Sequence, residues 1–295
     1  MQLNANELFN DNGKVAQQWA HFIVGERVIK QPSHGLRFTR QSTYIQRALT
    51  IKQGLKAGVY ITLSHTRDTT GTNSIKSIQV TPVYLDTVVN WSAEGEQAFH
   101  WSQIFIEWDL LNQVTGELPH KAEHFFERVT SFHTDTGDSL ELLPTTAIRS
   151  DFTAVLSQES KSLALAGKLY GLIFQVIEHI QINHHLSHCE GCQHKLFKSQ
   201  NLLESRPKLT SKELARLCGL TQTAIEIGYP LIIGMTLEEY QIEVAIRKAL
   251  TEAHEHTPKE LSHKIEIQTG LDANEIEEAC LKRFGVMSHQ LSGIH

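Results

Sequence analysis

Cysteine is scarce in this 295-residue chain: Cys189, Cys192, Cys218 and Cys280 are the whole complement. Four thiols in so long a polypeptide exclude a disulfide scaffold, and reduced cysteines are expected. Proline, at seven residues, is too sparse for a fibrous or disordered chain. No apolar run approaches the ~18 residues a bilayer crossing needs. The amino terminus, Met1 to Asn6, also lacks a basic segment followed by an apolar one. A cytoplasmic protein with no membrane partner is therefore expected. Positive charge is short as well, with 27 Lys+Arg against 33 Asp+Glu for a net of -6. Such a chain has no global attraction to phosphate, so any nucleic-acid role must rest on a local basic surface. Phosphate loop, nucleophile elbow and zinc-hydrolase helix are all missing, and no enzyme is expected.

What is present is enough apolar character, 40% of residues, for sizeable cores. At typically 100 to 200 residues per domain, the length predicts about two of them. From Ala48 to about Phe132 the period is near two: Val59, Ile61 and Leu63 alternate with Tyr60 and Thr62, and Ile104, Ile106 and Trp108 repeat the pattern. Thr69 to Asn73 reads as a hairpin turn. A strand-rich barrel or sandwich is predicted. Near Ser160 the period changes, and Leu165, Leu169, Leu172, Ile173, Val176, Ile177 and Ile180 form one stripe of a long helix over 160–181. Such a helix packs on the strand domain or on its copy in a dimer. The expected class is α+β, with a sensor and dimerisation domain over 1–182, a His/Cys-rich linker over 183–195 and an all-α domain over 196–295.

The last hundred residues hold two similar units. In the first, Thr210-Ser211-Lys212-Glu213 is a capping box, and Gly219-Leu220-Thr221 turns into a second helix ending before Gly234. The second unit opens at Thr257-Pro258-Lys259-Glu260, runs to Gly270, and continues in a helix from Asp272 to Phe284. Joined by the amphipathic segment Leu237 to Ala253, they outline a double helix-turn-helix.

On these pieces the chain resembles the AraC family of bacterial transcription regulators. The matching residues are Leu214 to Leu220, Gly234-Met235-Thr236 with Tyr240, and Arg283-Phe284-Gly285-Val286 followed by Ser288. Ile225 to Tyr229, and Leu163 to Tyr170 with the helix that follows, look like the siderophore-responsive, pyochelin-regulator-like branch. The resemblance implies a ligand-responsive homodimer that binds promoter DNA, with a small-molecule effector such as a ferric siderophore. It implies that Thr221 to Ile233 and Asp272 to Phe284 enter successive major grooves, with Gln222, Thr223, Asn274, Lys282 and Arg283 touching DNA.

The charges depart from that family's pattern. Glu226 is the one charge on the first recognition helix, Ile227 and Pro230 stand where relatives tend to carry Arg or Lys, and Ala245 replaces a usual Arg. Residues 201–295 hold 10 Lys+Arg and 14 Asp+Glu, a net of -4. Because phosphate neutralisation supplies most of the affinity for DNA, two readings stand: a regulator with few contacts, or a DNA-impaired relative that binds ligand or protein.

A third feature is independent of the resemblance. Cys189-Glu190-Gly191-Cys192 is a CxxC whose thiolates can reach one tetrahedral metal, with His185 or His188, together with His194, to complete the shell. Soft S/N donors suit zinc best, with iron or copper after it, and the same pair can act as a redox switch; a solvated polar linker is the alternative. Trp101 and Trp108 are candidates for contact with an aromatic effector, or simply core.

Overall fold

The computed structural model describes residues 2–67, 73–116, 118, 120–133, 139–156, 162–251, 263, 266–267, 273–285 and 287. The chain divides into two compact units, Met1–Glu178 and His179–His295.

The first unit is built on two sheets, and they do not close into a barrel. A three-stranded sheet has the order β1-β4-β7, formed by β1 (Gln2–Asn4), β4 (Leu49–Leu55) and β7 (Thr87–Ala93). A six-stranded sheet has the order β2-β3-β8-β5-β6-β9, from β2 (Ile23–Ser33), β3 (Leu36–Ile45), β8 (Gln97–Ile106), β5 (Gly58–Arg67), β6 (Asn73–Val83) and β9 (Leu140–Leu142). Its strands pair antiparallel throughout, and β5 with β6 is the hairpin expected from the sequence. The tip at Thr69 to Thr72 lies outside the described residues.

Register sorts the side chains of the large sheet by face, because directly paired residues point the same way. Leu36, Phe38, Val59, Ile61, Leu63, Ile78, Val80, Ile104 and Ile106 share one face and are all buried. The helices of this unit are α1 (Trp108–Thr115), α2 (Lys121–His133), α3 (Thr146–Leu156) and most of α4 (Ser162–His188). Gly116 ends α1 in the left-handed region at φ 68, which a side chain would strain.

The opposite face of the large sheet packs in apolar clusters at its two ends. Ile45 packs with Leu49, Ile51 and Ala93 of the small sheet, and Tyr60 and Phe105 pack with Leu55. Between them lie Thr39, Gln41, Thr43, Thr62, Trp101 and Gln103. Thr39, Gln41 and Thr43 are buried. Gln103 Nε2 donates to Thr62 Oγ1 at 2.9 Å, and Gln41 Nε2 to Thr43 Oγ1 at 3.4 Å. Gln53 is on the facing side of the small sheet, in line with Ile51 and Leu55.

The apolar stripe of α4 is one helix face as expected: Leu165, Leu169, Leu172, Ile173, Val176 and Ile180 are each at most 2% exposed. Among the described residues α4 is the one helix long and apolar enough to cross a membrane by composition. Burial of its stripe within the protein is an ordinary use for such a helix. It runs seven residues past the predicted end at 181. Residues 183–195, expected as a linker, are helical apart from Cys189 and belong to α4 or to α5 (Glu190–Ser205).

The second unit continues with α6 (Ser211–Cys218), α7 (Gln222–Gly228), a wide helical turn Tyr229–Ile233, α8 (Leu237–Thr251) and α9 (Ala273–Phe284). Its core joins Leu186 of α4, Leu196 and Leu203 of α5, Leu214 and Cys218 of α6, Ile225, Ile227 and Tyr229, and Tyr240 and Val244 of α8. Cys280 of α9 is also buried, so two of the four thiols are core residues. Of the predicted second helix-turn-helix, α9 is described, while Thr257 to Gly270 lies largely outside the described residues.

Candidate functional site

The helix-turn-helix at 211–233 is specified residue by residue. Thr210 Oγ1 accepts from the Glu213 amide at 3.3 Å, and the Glu213 carboxylate accepts from the Thr210 amide at 2.9 Å, which completes the capping box. The Thr210 amide and the Thr210 hydroxyl, at 2.8 Å, both donate to that carboxylate and hold the Glu213 carboxyl below its ordinary pKa. Gly219, at φ 64, lets the chain turn, and the Leu220 amide closes back on Ala215 O at 3.0 Å. Thr221 then caps α7 by accepting from the Ala224 amide at 3.1 Å.

Proline at 230 is accommodated by the wide turn. The Gly234 amide bonds to Tyr229 O at 3.0 Å, five residues back, so the helix widens where Pro230 has no amide to give. Tyr229 is fully buried against α5, its hydroxyl 2.8 Å from Ser199 Oγ, and burial pushes its pKa up to about 12. Gly228 has no room for a side chain, since a Cβ would sit 2.6 Å from Leu196 Cδ1. The helix-turn-helix is therefore seated on α5.

That seating decides what α7 presents. Ala224, Ile225, Ile227 and Gly228 face inward, so position 227 is a core position here and cannot read bases. Ala245, in the helix joining the two units of the resemblance, is likewise 1% exposed, in the core. Gln222 is exposed and Thr223 and Glu226 are partly so. Gln222 Nε2 donates to Glu226 Oε1 at 2.8 Å, and Ser211 Oγ donates to the same oxygen at 3.4 Å. The side chain best suited to a base edge is held by the carboxylate beside it. Of the other predicted contacts, Asn274 is exposed on α9, and the side chains of Lys282 and Arg283 lie outside what the structure describes.

The positive charge lies beside α7. Lys195 and Lys198 on α5 and Lys212 and Arg216 on α6 are exposed. Lys195 Nζ donates to Gly219 O at 3.2 Å, which puts an ammonium at the turn itself. Residues 193–221 carry six Lys+Arg and two Glu, against a net negative balance over the last third of the chain. Sequence reading by recognition helix alone missed Lys195 and Lys198. Their i, i+3 spacing on a helix was the available signal.

The His/Cys stretch folds into a corner between α4 and α5. His185, Cys189 and Cys192 bring their ligand atoms within 4.8 Å of one another. His188 instead turns Nδ1 to His184 O at 2.8 Å, and exposed His194 is outside the group. The corner lowers the Cys189 thiol pKa, chiefly through its hydrogen bonds with Cys192, and raises that of Cys192.

In the first unit, Trp101 and Trp108 are not brought to one pocket. Trp108 lines an open cavity of about 650 Å³ with Lys56, Tyr84, Asp86, Glu107, Asp109, His120, Glu123, His124 and Glu127. Tyr84 stacks on Trp108 at 5.7 Å. Trp101 belongs to the polar stretch between the two sheets, where Thr39, Gln41 and Thr43 recur every second residue. That alternation of hydroxyl and amide side chains was legible in the sequence but was passed over in favour of aromatics.

No protein-family model and no curated protein matches this chain. Among solved structures it is similar to ToxT from Vibrio cholerae, at 8% identity and a TM-score of 0.28 over 92% of this chain and 96% of that one. A second ToxT structure, from strain O395, gives 10% identity and 0.28 over 92% and 95%. A wild-type ToxT with bound unsaturated fatty acid, from strain SCE256, gives 9% and 0.25 over 83% and 86%. At such scores the likeness carries no inference about this chain.

Proposed function

We propose that this chain is a ligand-responsive transcription regulator of AraC type, in which the second unit contacts promoter DNA and the first binds a small effector. One observation carries the proposal: a capped, glycine-turned helix-turn-helix flanked by four exposed basic side chains, in a region whose overall charge is negative. Charge placed against the prevailing balance, beside a motif that lies on duplexes, supports a phosphate-binding side. Lys195, Lys198, Lys212 and Arg216 would hold the backbone, while Gln222 and Thr223 approach the base edges. Asn274, Lys282 and Arg283 would act at a second groove. A homodimer is part of the reading, because a two-fold pair doubles the phosphate contacts of one unit.

The effector of this reading is an uncharged polar molecule. Hydroxyl and amide groups between the sheets, from Gln41, Gln53, Thr62 and Gln103, suit hydrogen-bonding groups on a ligand, with Trp101 as an apolar wall. A ferric siderophore fits less well at the cavity holding Trp108, where five carboxylates against Lys56 would repel an anionic complex. Binding there or between the sheets would act by shifting the population of DNA-competent conformers.

Glu226 gives the first test. Replacing it by Lys frees Gln222 and substitutes a phosphate donor for a repelling carboxylate. Fluorescence anisotropy on the DNA upstream of the chain's own gene should show roughly tenfold tighter binding at 0.1 M salt, with the salt slope steeper by about 1. Equal affinity for Glu226→Lys and the parent would place α7 away from the duplex and favour a DNA-impaired receptor.

A further inference from the structure

We propose that His185, Cys189 and Cys192 form a binding site for one thiophilic metal ion of the zinc type, at the corner where α4 meets α5. Cys192 Sγ lies 3.5 Å from His185 Nε2, and the three donors are mutually within 4.8 Å. With Zn–S of about 2.3 Å and Zn–N of about 2.05 Å, the edges of a tetrahedral shell come out at about 3.5 to 3.8 Å. The existing separations need little adjustment to close on an ion.

Local structure explains why the donors meet. His185 and Cys189 are four residues apart, and α4 breaks at Cys189, whose φ of -95 and ψ of 93 leave the helical region. Cys189 becomes the N-cap of α5, and Cys192, three residues on, returns its thiol to the same side. The Cys192 amide points at Cys189 Sγ at 3.4 Å, a donor suited to a metal-bound thiolate. Cys189, as N-cap, stands at the positive end of α5. The corner is also pinned from behind, for Gln193 Nε2 donates to Leu186 O at 2.9 Å and Ser187 O at 3.1 Å. First and last turns of the two helices are thereby fixed, and the ligands are preorganised.

On binding, each thiol releases its proton to solvent and the imidazole ligates through Nε2. Three protein ligands leave the fourth position to water or to an added ligand. The site rests on the second unit alone and does not depend on the regulator reading. Its consequence for that reading is positional, because α5 carries Lys195 and Leu196 to the helix-turn-helix only three and four residues beyond Cys192.

Cobalt(II) titrated into the reduced full-length chain tests the assignment. One Co2+ per chain should bind with the intense visible bands of a tetrahedral ion and a thiolate charge-transfer absorption, and Zn2+ should displace it. Both signals should vanish in Cys189→Ser/Cys192→Ser and persist in Cys218→Ser/Cys280→Ser. His185→Ala should bind at least about tenfold more weakly, since even loss of an outer partner costs that much. These positions are at or near the surface, and His185→Asn serves as a second variant should the alanine form misfold. Equal cobalt affinity in the double Cys189/Cys192 variant, or a weak octahedral spectrum, would overturn the proposal. So would a Cys189–Cys192 disulfide as the sole chemistry of the pair. A chain that binds cobalt this way yet ignores promoter DNA would keep the site and reject the regulator.

Discussion

Substituting Ala for Lys195, Lys198, Lys212 and Arg216 together should lower affinity for promoter DNA about a thousandfold or more at 0.1 M salt. Each phosphate neutralised releases roughly 0.9 of a counterion, which at that salt is worth about tenfold in the binding constant. The same variant should flatten the salt dependence by about 3 to 4 units of slope. All four side chains are exposed, so the fold should survive. Circular dichroism at equal protein concentration checks that, and gel shift or anisotropy reads the loss. A variant that folds and binds as the parent does would show that these charges are solvated surface.

Acid should unfold both units well above the ordinary range of carboxylates. His65 in the first unit is 8% exposed and is pushed down to about 4 by burial, with His100 and Arg40 adding repulsion. Its Nε2 lies 3.3 Å from Ser102 Oγ, and Nδ1 has no partner among the described residues. His179 in the second unit is 3% exposed, is also lowered to about 4 by burial, and likewise has an unpartnered Nδ1. A depressed folded-state pKa means that the unfolded chain takes up the proton first. The stabilisation is complete above pH 6.5 and is lost progressively as pH falls toward 4. His179 accounts for roughly 3 kcal/mol over that window, a large part of a typical domain's stability, and the less enclosed His65 for less. Urea midpoints at pH 7 and pH 4.5 should therefore differ strongly. His179→Leu, which removes a buried polar ring, should shrink the difference for the second unit, and His65→Gln should do so for the first. Equal pH dependence in parent and variants would contradict the assignment.

How much of this was legible in the sequence depends on whether the signal is local. The capping box at Thr210, the glycine turn at 219 and the stripe of α4 are short-range patterns, and each formed where the pattern lies. Period two marked the strands, but two sheets with polar side chains between apolar ends follow from register, which no strand carries by itself. Residues 183–195 looked like a linker because they are polar. They are helical because one break at Cys189 is enough to turn the corner, and their polar side chains serve the corner itself. Ile227 and Ala245 looked like lost DNA contacts because a resemblance fixes position in the chain and not the direction of a side chain. The CxxC was visible at once, whereas which histidine lies beside it, His185 and not His188 or His194, depends on the geometry of the last turn of α4.

The central claim is that the second unit lies against DNA through a small basic surface set in an acidic domain. Equilibrium binding of the unmodified full-length chain to the DNA upstream of its own gene, measured from 50 to 200 mM salt, tests it most directly. Four phosphate contacts predict a logarithmic slope of about -3.6 or steeper, and a dimer nearly twice that. Binding that is flat in salt, or no tighter than to an unrelated duplex of equal length, would contradict the account.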